Sequence, residues 1–248
     1  MSRCKEPRHI IKVLKTSRSQ GFIDGVFCAA ALHRLSSLNS RRDGQCDVVE
    51  LIEAWTVCLD EASRNLGTFG AQELAIAALA VAKSRPRHER SKDLFHQILD
   101  RVLPGLHLNS RPLPMRYVSN LLWAAANLRS SADVLFEEVL VTLQQRTHGA
   151  CNARDAAQLC WAFATQKHPK ALEMLESLAV DQHAKLASYS DHDLATTIWA
   201  VANMTCPKPA GRIFVEELVD AACKQPTFAP QGLSMTLWAC ATFAATTL

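Results

Sequence analysis

Polar side chains that can form directional hydrogen bonds or hold a charged group recur at three fixed offsets from a repeating column of the chain. The offsets are −7, −3 and +4, and the residues are mainly amides, hydroxyls and guanidiniums. The set comprises Lys83, Arg116, Asn120, Asn127, Arg154, Gln158, Thr165, His192, Thr196, Asn203, Gln231 and Thr242. Amides and hydroxyls can contact the edges of unpaired bases, and arginine or lysine can hold phosphates. Two positions, Ile76 and Met235, depart from this pattern because they are apolar.

The column that defines these offsets is a repeated Trp-Ala pair. The segments SNLLWAAANL, AQLCWAFATQ, TTIWAVANM and MTLWACATF align on Trp123, Trp161, Trp199 and Trp238, at spacings of 38, 38 and 39 residues. Two degenerate copies upstream place Leu79 and Ala30 in the column, at intervals of 44 and 49 residues. A fixed period of this length is the signature of a repeat architecture.

Each copy begins a helix, which we name helix A. Apolar residues at −5, −2, −1, +2 and +5 cluster on one side when each residue advances about 100°. A capping residue stands at −9 and an acidic residue often follows at −6, which indicates a helix start and an A helix of about 13 residues. Second amphipathic helices, named B, are predicted between the A helices, over 47–63, 91–103, 131–145, 170–186 and 210–224.

These patterns predict an all-α chain, an α-solenoid of about six A–B hairpins with a period of about 38 to 49 residues. We expect a single domain over residues 1–248, with repeats near 10–65, 66–108, 109–148, 149–186, 187–225 and a partial 226–248. The last repeat lacks its B helix, so we expect the chain to be a fragment or a truncated gene model. Trp55 falls outside the column, in the first B helix, and is predicted to be core.

The three polar offsets fall at about 20°, 60° and 40° on the helical wheel, next to the tryptophan column at 0°. In a solenoid such stripes would form a ladder on one face. The alternative is an ordinary solvated face, but such faces carry more glutamate and lysine than this one. The tryptophans could stack on bases, although recurrence at one structural position favours packing between repeats.

No pattern typical of catalysis or of metal binding is present. The sequence contains no G-x-S-x-G, P-loop, G-x-G-x-x-G or H-E-x-x-H arrangement, and the nine cysteines form no C-x-x-C pair. Asp191-His192-Asp193 resembles a metal triplet, but its place at a helix start favours capping. We therefore expect no enzyme activity, no cofactor and no metal, and free buried thiols in a reducing compartment.

The composition is compatible with several kinds of partner, and the hydropathy pattern argues against a membrane-spanning protein. The chain is 48% apolar and carries a net charge of +3. No apolar run is long enough for a membrane span, and the N-terminus has no secretory signal. Its basic start could be an organelle transit peptide. A solvated first helix is favoured instead, because Ile10, Ile11, Val13 and Leu14 form an apolar side.

The repeat has a family resemblance. FAPQGLSMTLWACATF and YSDHDLATTIWAVANM resemble the first-helix consensus of octotricopeptide repeats, and DGVFCAAALHRLSSL resembles the opening repeat of heptatricopeptide and RAP-type organellar proteins. The chain is also similar to the helical-repeat domain of protein 6 of the RNA-editing substrate-binding complex. The resemblance implies single-stranded RNA binding in mitochondria or chloroplasts, in RNA stability, processing, editing or translation, with other subunits of an RNA-processing complex as further partners. The variable first-helix positions would then contact RNA.

Two hypotheses follow for the function. The first is a non-catalytic organellar RNA-binding protein. The second is a protein–protein scaffold of the armadillo or HEAT type, located in the cytoplasm if the organellar resemblance does not hold. A basic, amide-lined A-helix face supports the first hypothesis, and an apolar or mixed face supports the second.

Overall fold

A computed structural model describes residues 4–39, 47–84, 88–108, 113–145, 151–204, 209–225 and 227–246. Within these ranges the chain forms twelve α-helices and two 3-10 segments and contains no strand, which confirms the all-α prediction. No helix in the described ranges has both the length and the apolar character that crossing a membrane requires. The chain divides into two compact units, Met1–Leu113 and Pro114–Leu248.

The described part of the first unit contains five helices. They are α1 Pro7–Ser19, α2 Gly25–Asn39, α3 Val48–Asn65, α4 Ala71–Ala82 and α5 Ser91–Leu108. Helices α2 and α4, which carry the degenerate copies of the column, pack against each other, while α3 packs on α1, α2 and α5. The core includes Ile10, Leu32 and Phe95, and Trp55 is 1% exposed, so the prediction that Trp55 is core is confirmed.

The second unit contains seven helices. They are α6 Met115–Leu128, α7 Asp133–Gln145, α8 Ala153–Gln166, α9 Ala171–Gln182, α10 Asp191–Asn203, α11 Pro209–Cys223 and α12 Pro230–Thr246. The tryptophan-bearing helices α6, α8, α10 and α12 contact one another in order. A second row, α7, α9 and α11, is also in contact in order, and each of its helices packs on the preceding member of the first row.

Side-chain caps start α8 and α10 at the residues that the sequence predicts, whereas Gly70 before α4 and Pro114 before α6 form no side-chain capping hydrogen bond. Asn152 accepts a hydrogen bond from the Asp155 backbone N–H at 2.9 Å. Ser190 and Asp193 form a reciprocal capping box at the start of α10. Each such cap satisfies backbone N–H groups that the helix leaves unpaired, and is worth about 1 kcal/mol.

The start of α2 differs from the prediction. The repeat alignment places Gly21 in the capping column, but this residue has a φ of 73° and ends α1 instead. That left-handed conformation favours glycine, which has no Cβ to clash with the backbone. Asp24 is the capping residue, because its Oδ1 accepts from the Phe27 backbone N–H at 2.8 Å, and α2 begins at Gly25.

Helix α9 also ends earlier than the predicted limit of residue 186. The α-helix stops at Gln182, and His183–Ser188 form a 3-10 segment. The tighter winding brings the Tyr189 hydroxyl to 3.0 Å from Gln182 Oε1. Because this buried hydrogen bond satisfies two polar groups, it favours the 3-10 path over a continued α-helix.

Helix α12 differs from the other tryptophan-bearing helices in its burial. Leu233 and Leu237 occupy the −5 and −1 positions and are 49% and 61% exposed. The equivalent residues of α6, α8 and α10 are all buried. The difference arises because no described helix packs on the side of α12 opposite α10.

Candidate ligand-binding face

The four tryptophan-bearing helices of the second unit present one shared set of accessible residues, which we name the polar face. It consists of positions −7, −3, 0 and +4 on α6, α8, α10 and α12. The eleven predicted residues of this unit are all exposed or half-buried. They are Arg116, Asn120, Asn127, Arg154, Gln158, Thr165, His192, Thr196, Asn203, Gln231 and Thr242. Because these helices contact each other in order, the stripes lie side by side.

Lys83 is the predicted residue that lies in the first unit. It is exposed and follows the last residue of α4. The −3 and 0 positions of that helix are Ile76 and Leu79, both half-buried. The amide-lined character is therefore a property of the second unit.

The tryptophans form the edge of the polar face. Trp123, Trp161 and Trp199 are half-buried, and Trp238 is 48% exposed. The rings of Trp123 and Trp161 are stacked, with centroids 5.7 Å apart and planes 29° from parallel. That contact between α6 and α8 confirms packing between repeats for this pair.

A buried polar cluster fixes the relation between α6 and α8 beneath the face. The Ser119 hydroxyl lies 3.0 Å from Asp155 Oδ1 and 3.1 Å from Gln158 Oε1, so it can donate to either oxygen. Ser119 and Asp155 are buried, and Gln158 is half-buried. One end of the Gln158 amide is therefore directed toward α6. Ser119 was missed from the sequence, where the usable signal is a serine at a −4 position that is alanine in the next two copies.

Two guanidiniums stand at one end of the face. Arg116 and Arg154 are exposed, and the Arg116 Cζ lies 5.7 Å from the centroid of the Tyr117 ring. Burial raises the pKa of Asp155, and the Ser119 hydrogen bond and the positive charges of Arg116 and Arg154 oppose that rise. Both arginines therefore act on the same buried carboxyl while their side chains remain accessible.

No carboxylate occupies any of the sixteen positions of the polar face, all of which are described. Of the acidic side chains nearest along the chain, Asp155 is buried against Ser119 and the others are engaged in capping. Asp193 belongs to the capping box, and Asp191 accepts from the backbone N–H groups of His192 at 2.8 Å and Ala229 at 3.1 Å. The expectation that Asp191-His192-Asp193 caps a helix is confirmed. The face carries positive charge at one end, and hydrogen-bonding groups with exposed aromatic surface along its length.

The described cysteine thiols lie outside the sixteen positions of this face, and most of them are closed to solvent. Five of the seven described cysteines are buried free thiols, and burial raises the pKa of Cys160 to about 12, which suppresses its thiolate form. Among the described residues, no group of three or more potential ligands could hold a metal ion. Searches of the sequence against protein-family models and against curated protein sequences find no match.

Proposed function

We propose that this protein is a non-catalytic helical-repeat protein that binds single-stranded RNA through the polar face of its second unit. In this proposal the A–B hairpins form an α-solenoid of about six repeats. The observation that carries the proposal is the composition of the face. It combines two exposed arginines, several amides and hydroxyls and four tryptophans, with no carboxylate among them.

This composition matches the two tasks of an RNA-binding surface. Phosphates are held by cations and supply most of the affinity, whereas unpaired base edges are contacted by amides and hydroxyls. Arg116 and Arg154 can hold phosphates. Base edges can be contacted by Asn120, Asn127 and Asn203. A protein-binding face would more typically centre on a buried apolar cluster.

The resemblance to organellar repeat proteins supports a role in mitochondrial or chloroplast RNA stability, processing, editing or translation. The same resemblance supports assembly with other subunits of an RNA-processing complex. In this proposal the chain binds RNA without a reacting group of its own and positions it for other proteins.

The test is binding of a random single-stranded RNA pool to the full chain, followed by fluorescence anisotropy over a salt series. We expect affinity to fall as salt rises, because cations on the protein displace counterions from the phosphates. The double variant Arg116→Gln/Arg154→Gln should flatten the slope of log K against log salt by about 0.7 for each phosphate that the protein no longer neutralises.

A matched control removes the same charge elsewhere. Arg212 and Lys224 are exposed cations on or just after α11, which belongs to the other row of helices. Arg212→Gln/Lys224→Gln should leave both affinity and salt slope close to those of the original chain. Absence of salt-sensitive binding to any single-stranded RNA pool would exclude the proposal and favour the scaffold hypothesis.

A further inference from the structure

The four tryptophans of the polar face differ in whether another ring covers them. Trp123 and Trp161 stack on each other. Trp199 and Trp238 make no contact with another aromatic ring among the described residues. All four occupy the same column of the repeat, but the surroundings of their rings differ.

The indole of Trp199 lies at the surface of a tightly packed part of α10. The residues on either side of it in the chain, Ile198 and Ala200, are fully buried, whereas Trp199 itself is half-buried. Trp55 shows the contrast, since its ring is 1% exposed and its Nε1 is buried. Trp199 therefore retains aromatic surface in contact with solvent, and Trp238, at 48% exposure, retains more.

Polar groups lie near both rings, although the −3 neighbour of Trp238 is the apolar Met235. Asn203 and Thr196 occupy the +4 and −3 positions around Trp199, and Asn203 Nδ2 donates to the Trp199 backbone carbonyl at 2.8 Å, which orients the amide. Gln231 and Thr242 flank Trp238, and Thr242 Oγ1 donates to the Trp238 carbonyl at 2.9 Å. An apolar peptide side chain placed on these rings would remove water from the neighbouring polar groups without replacing its hydrogen bonds.

A nucleobase satisfies both kinds of group at once. Its flat face can stack on an indole, and its edge carries donors and acceptors that match an amide or a hydroxyl. Stacking is tolerant of sequence because every base has a π-face. The combination of an exposed indole and an adjacent oriented amide therefore fits an unpaired base better than it fits an apolar side chain.

We propose that Trp199 and Trp238 each stack on a base of the bound strand, whereas Trp123 and Trp161 serve packing between α6 and α8. This inference rests on the RNA-binding function proposed above and assigns the base-contacting residues within that site. The inference assigns two roles to the tryptophans of one sequence column, according to whether another aromatic ring already covers each indole.

The first test compares two probes with the unchanged protein. One is an oligoadenylate, and the other is a ribose-phosphate oligomer of equal length that lacks bases. We expect the oligoadenylate to quench tryptophan fluorescence and to bind more tightly than the abasic oligomer. This comparison needs no variant, so it remains decisive even if a substituted chain fails to fold.

The second test uses substitutions of each class. Trp199→Leu and Trp238→Leu should each weaken oligoadenylate binding about 5- to 150-fold, the range expected for removal of one base–aromatic stack, and Trp199→Phe should restore part of the affinity. Trp123→Leu, which removes a ring already covered by Trp161, should lower the unfolding temperature and should weaken binding several-fold less than Trp199→Leu does.

The outcomes separate the two proposals. If RNA binds in a salt-sensitive way but the abasic oligomer binds equally well and the Trp199 and Trp238 variants are unaffected, stacking is wrong and RNA binding stands. A decrease of affinity in Trp123→Leu as large as in Trp199→Leu would overturn the division of roles. If no RNA binds, both proposals fail.

Discussion

His168 is held in an aromatic box that disfavours its charged form. Its ring stacks on Phe136 with centroids 5.1 Å apart and meets the edge of Phe163 at 5.2 Å. Its Nδ1 accepts from the Lys170 backbone N–H at 3.3 Å, which places the neutral ring's proton on Nε2. Burial lowers the pKa of His168 below its ordinary value, because the charged imidazolium would lose its hydration.

This environment predicts a decrease of stability on acidification. Between the ordinary pKa near 6.5 and the lower folded pKa, the unfolded chain binds a proton that the folded chain does not. The contribution of the neutral, buried His168 to the free energy of unfolding is therefore fully present above pH 6.5. It is lost as the pH falls below that value. Urea unfolding at a series of pH values measures it, and His168→Phe should flatten the acid slope while keeping a ring in the box.

A second variant tests the ring contacts of His168 themselves. His168→Ala should lower the free energy of unfolding at neutral pH, since each of the two aromatic contacts is worth about 0.5–1.5 kcal/mol. An acid slope that persists unaltered in His168→Phe would show that other groups cause it.

At the scale of elements, a buried hydrogen-bond network ties the end of α9 to the starts of α8 and α10. Gln182 is fully buried. Its Nε2 donates to the Cys151 carbonyl at 3.1 Å, and its Oε1 accepts from the Tyr189 hydroxyl. Lys185 Nζ donates to the same Cys151 carbonyl at 2.8 Å. Neighbouring hairpins are therefore joined by directional bonds as well as by apolar contact.

Removing both partners of the Tyr189–Gln182 hydrogen bond should cost less than the sum of the costs of removing each one alone. Tyr189→Phe leaves the buried Gln182 Oε1 without its donor and should lower the free energy of unfolding by about 1–3 kcal/mol. Gln182→Met leaves the tyrosine hydroxyl unsatisfied and should cost a similar amount. The double variant should be destabilised by less than the two single variants combined, with a coupling of about 0.5–3 kcal/mol measured by chemical unfolding. Strictly additive effects would show that the two groups do not act together.

The elements themselves could be predicted from sequence far better than their ends and side-chain contacts. Helix existence follows from apolar spacing and capping residues, which are local signals, and α8 and α10 start where their caps are. The start of α2 could not be predicted from the repeat alignment, because Gly21 serves the preceding helix through its left-handed φ. The network around Gln182 was also missed, since it joins groups from separate helices that no local pattern links.

The candidate site could be predicted only in part, because some of its features follow from local spacing and others depend on contacts between separate helices. A period of 3.6 residues places positions −7, −3 and +4 on one face, so the surface position of Arg154 or Asn203 follows from counting alone. The pairing of Trp123 with Trp161, and the open ring of Trp199, depend on contacts between helices that are far apart in the sequence. One column in the sequence thus contains two structural environments.

At the scale of the whole molecule, distribution of charge matters more than its sum. The net charge of +3 is too small to indicate a polyanionic partner. The polar face nevertheless carries two arginines and no carboxylate, whereas acidic residues such as Glu216 and Asp220 lie on α11. The local field at the face can therefore favour phosphates even though the chain as a whole is nearly neutral.

The confinement of the polar face to the second unit predicts how affinity depends on RNA length. Helical-repeat proteins that read one base per repeat need one nucleotide for each participating helix, so four helices should require about four nucleotides. The first unit should add little, because its matching positions include Phe27, Ile76 and Leu79. Oligouridylates of about two to twelve nucleotides should therefore bind with an affinity that rises steeply up to about four nucleotides. Beyond that length the affinity should rise only slightly, because a longer strand merely offers more positions at which four nucleotides can bind.

Anisotropy titrations at constant salt measure this dependence on RNA length. Asn203→Ala shortens a side chain on α10, so it should lower the plateau affinity without changing the length at which the plateau begins. A steep rise that continues to about six nucleotides would mean that A helices of the first unit also contact RNA. In that case the apolar residues of α2 and α4 would have to accept bases by stacking or burial alone. A flat dependence would mean that the chain binds strand ends or bulk charge, because an ordered ladder of four sites must distinguish a dinucleotide from a tetranucleotide.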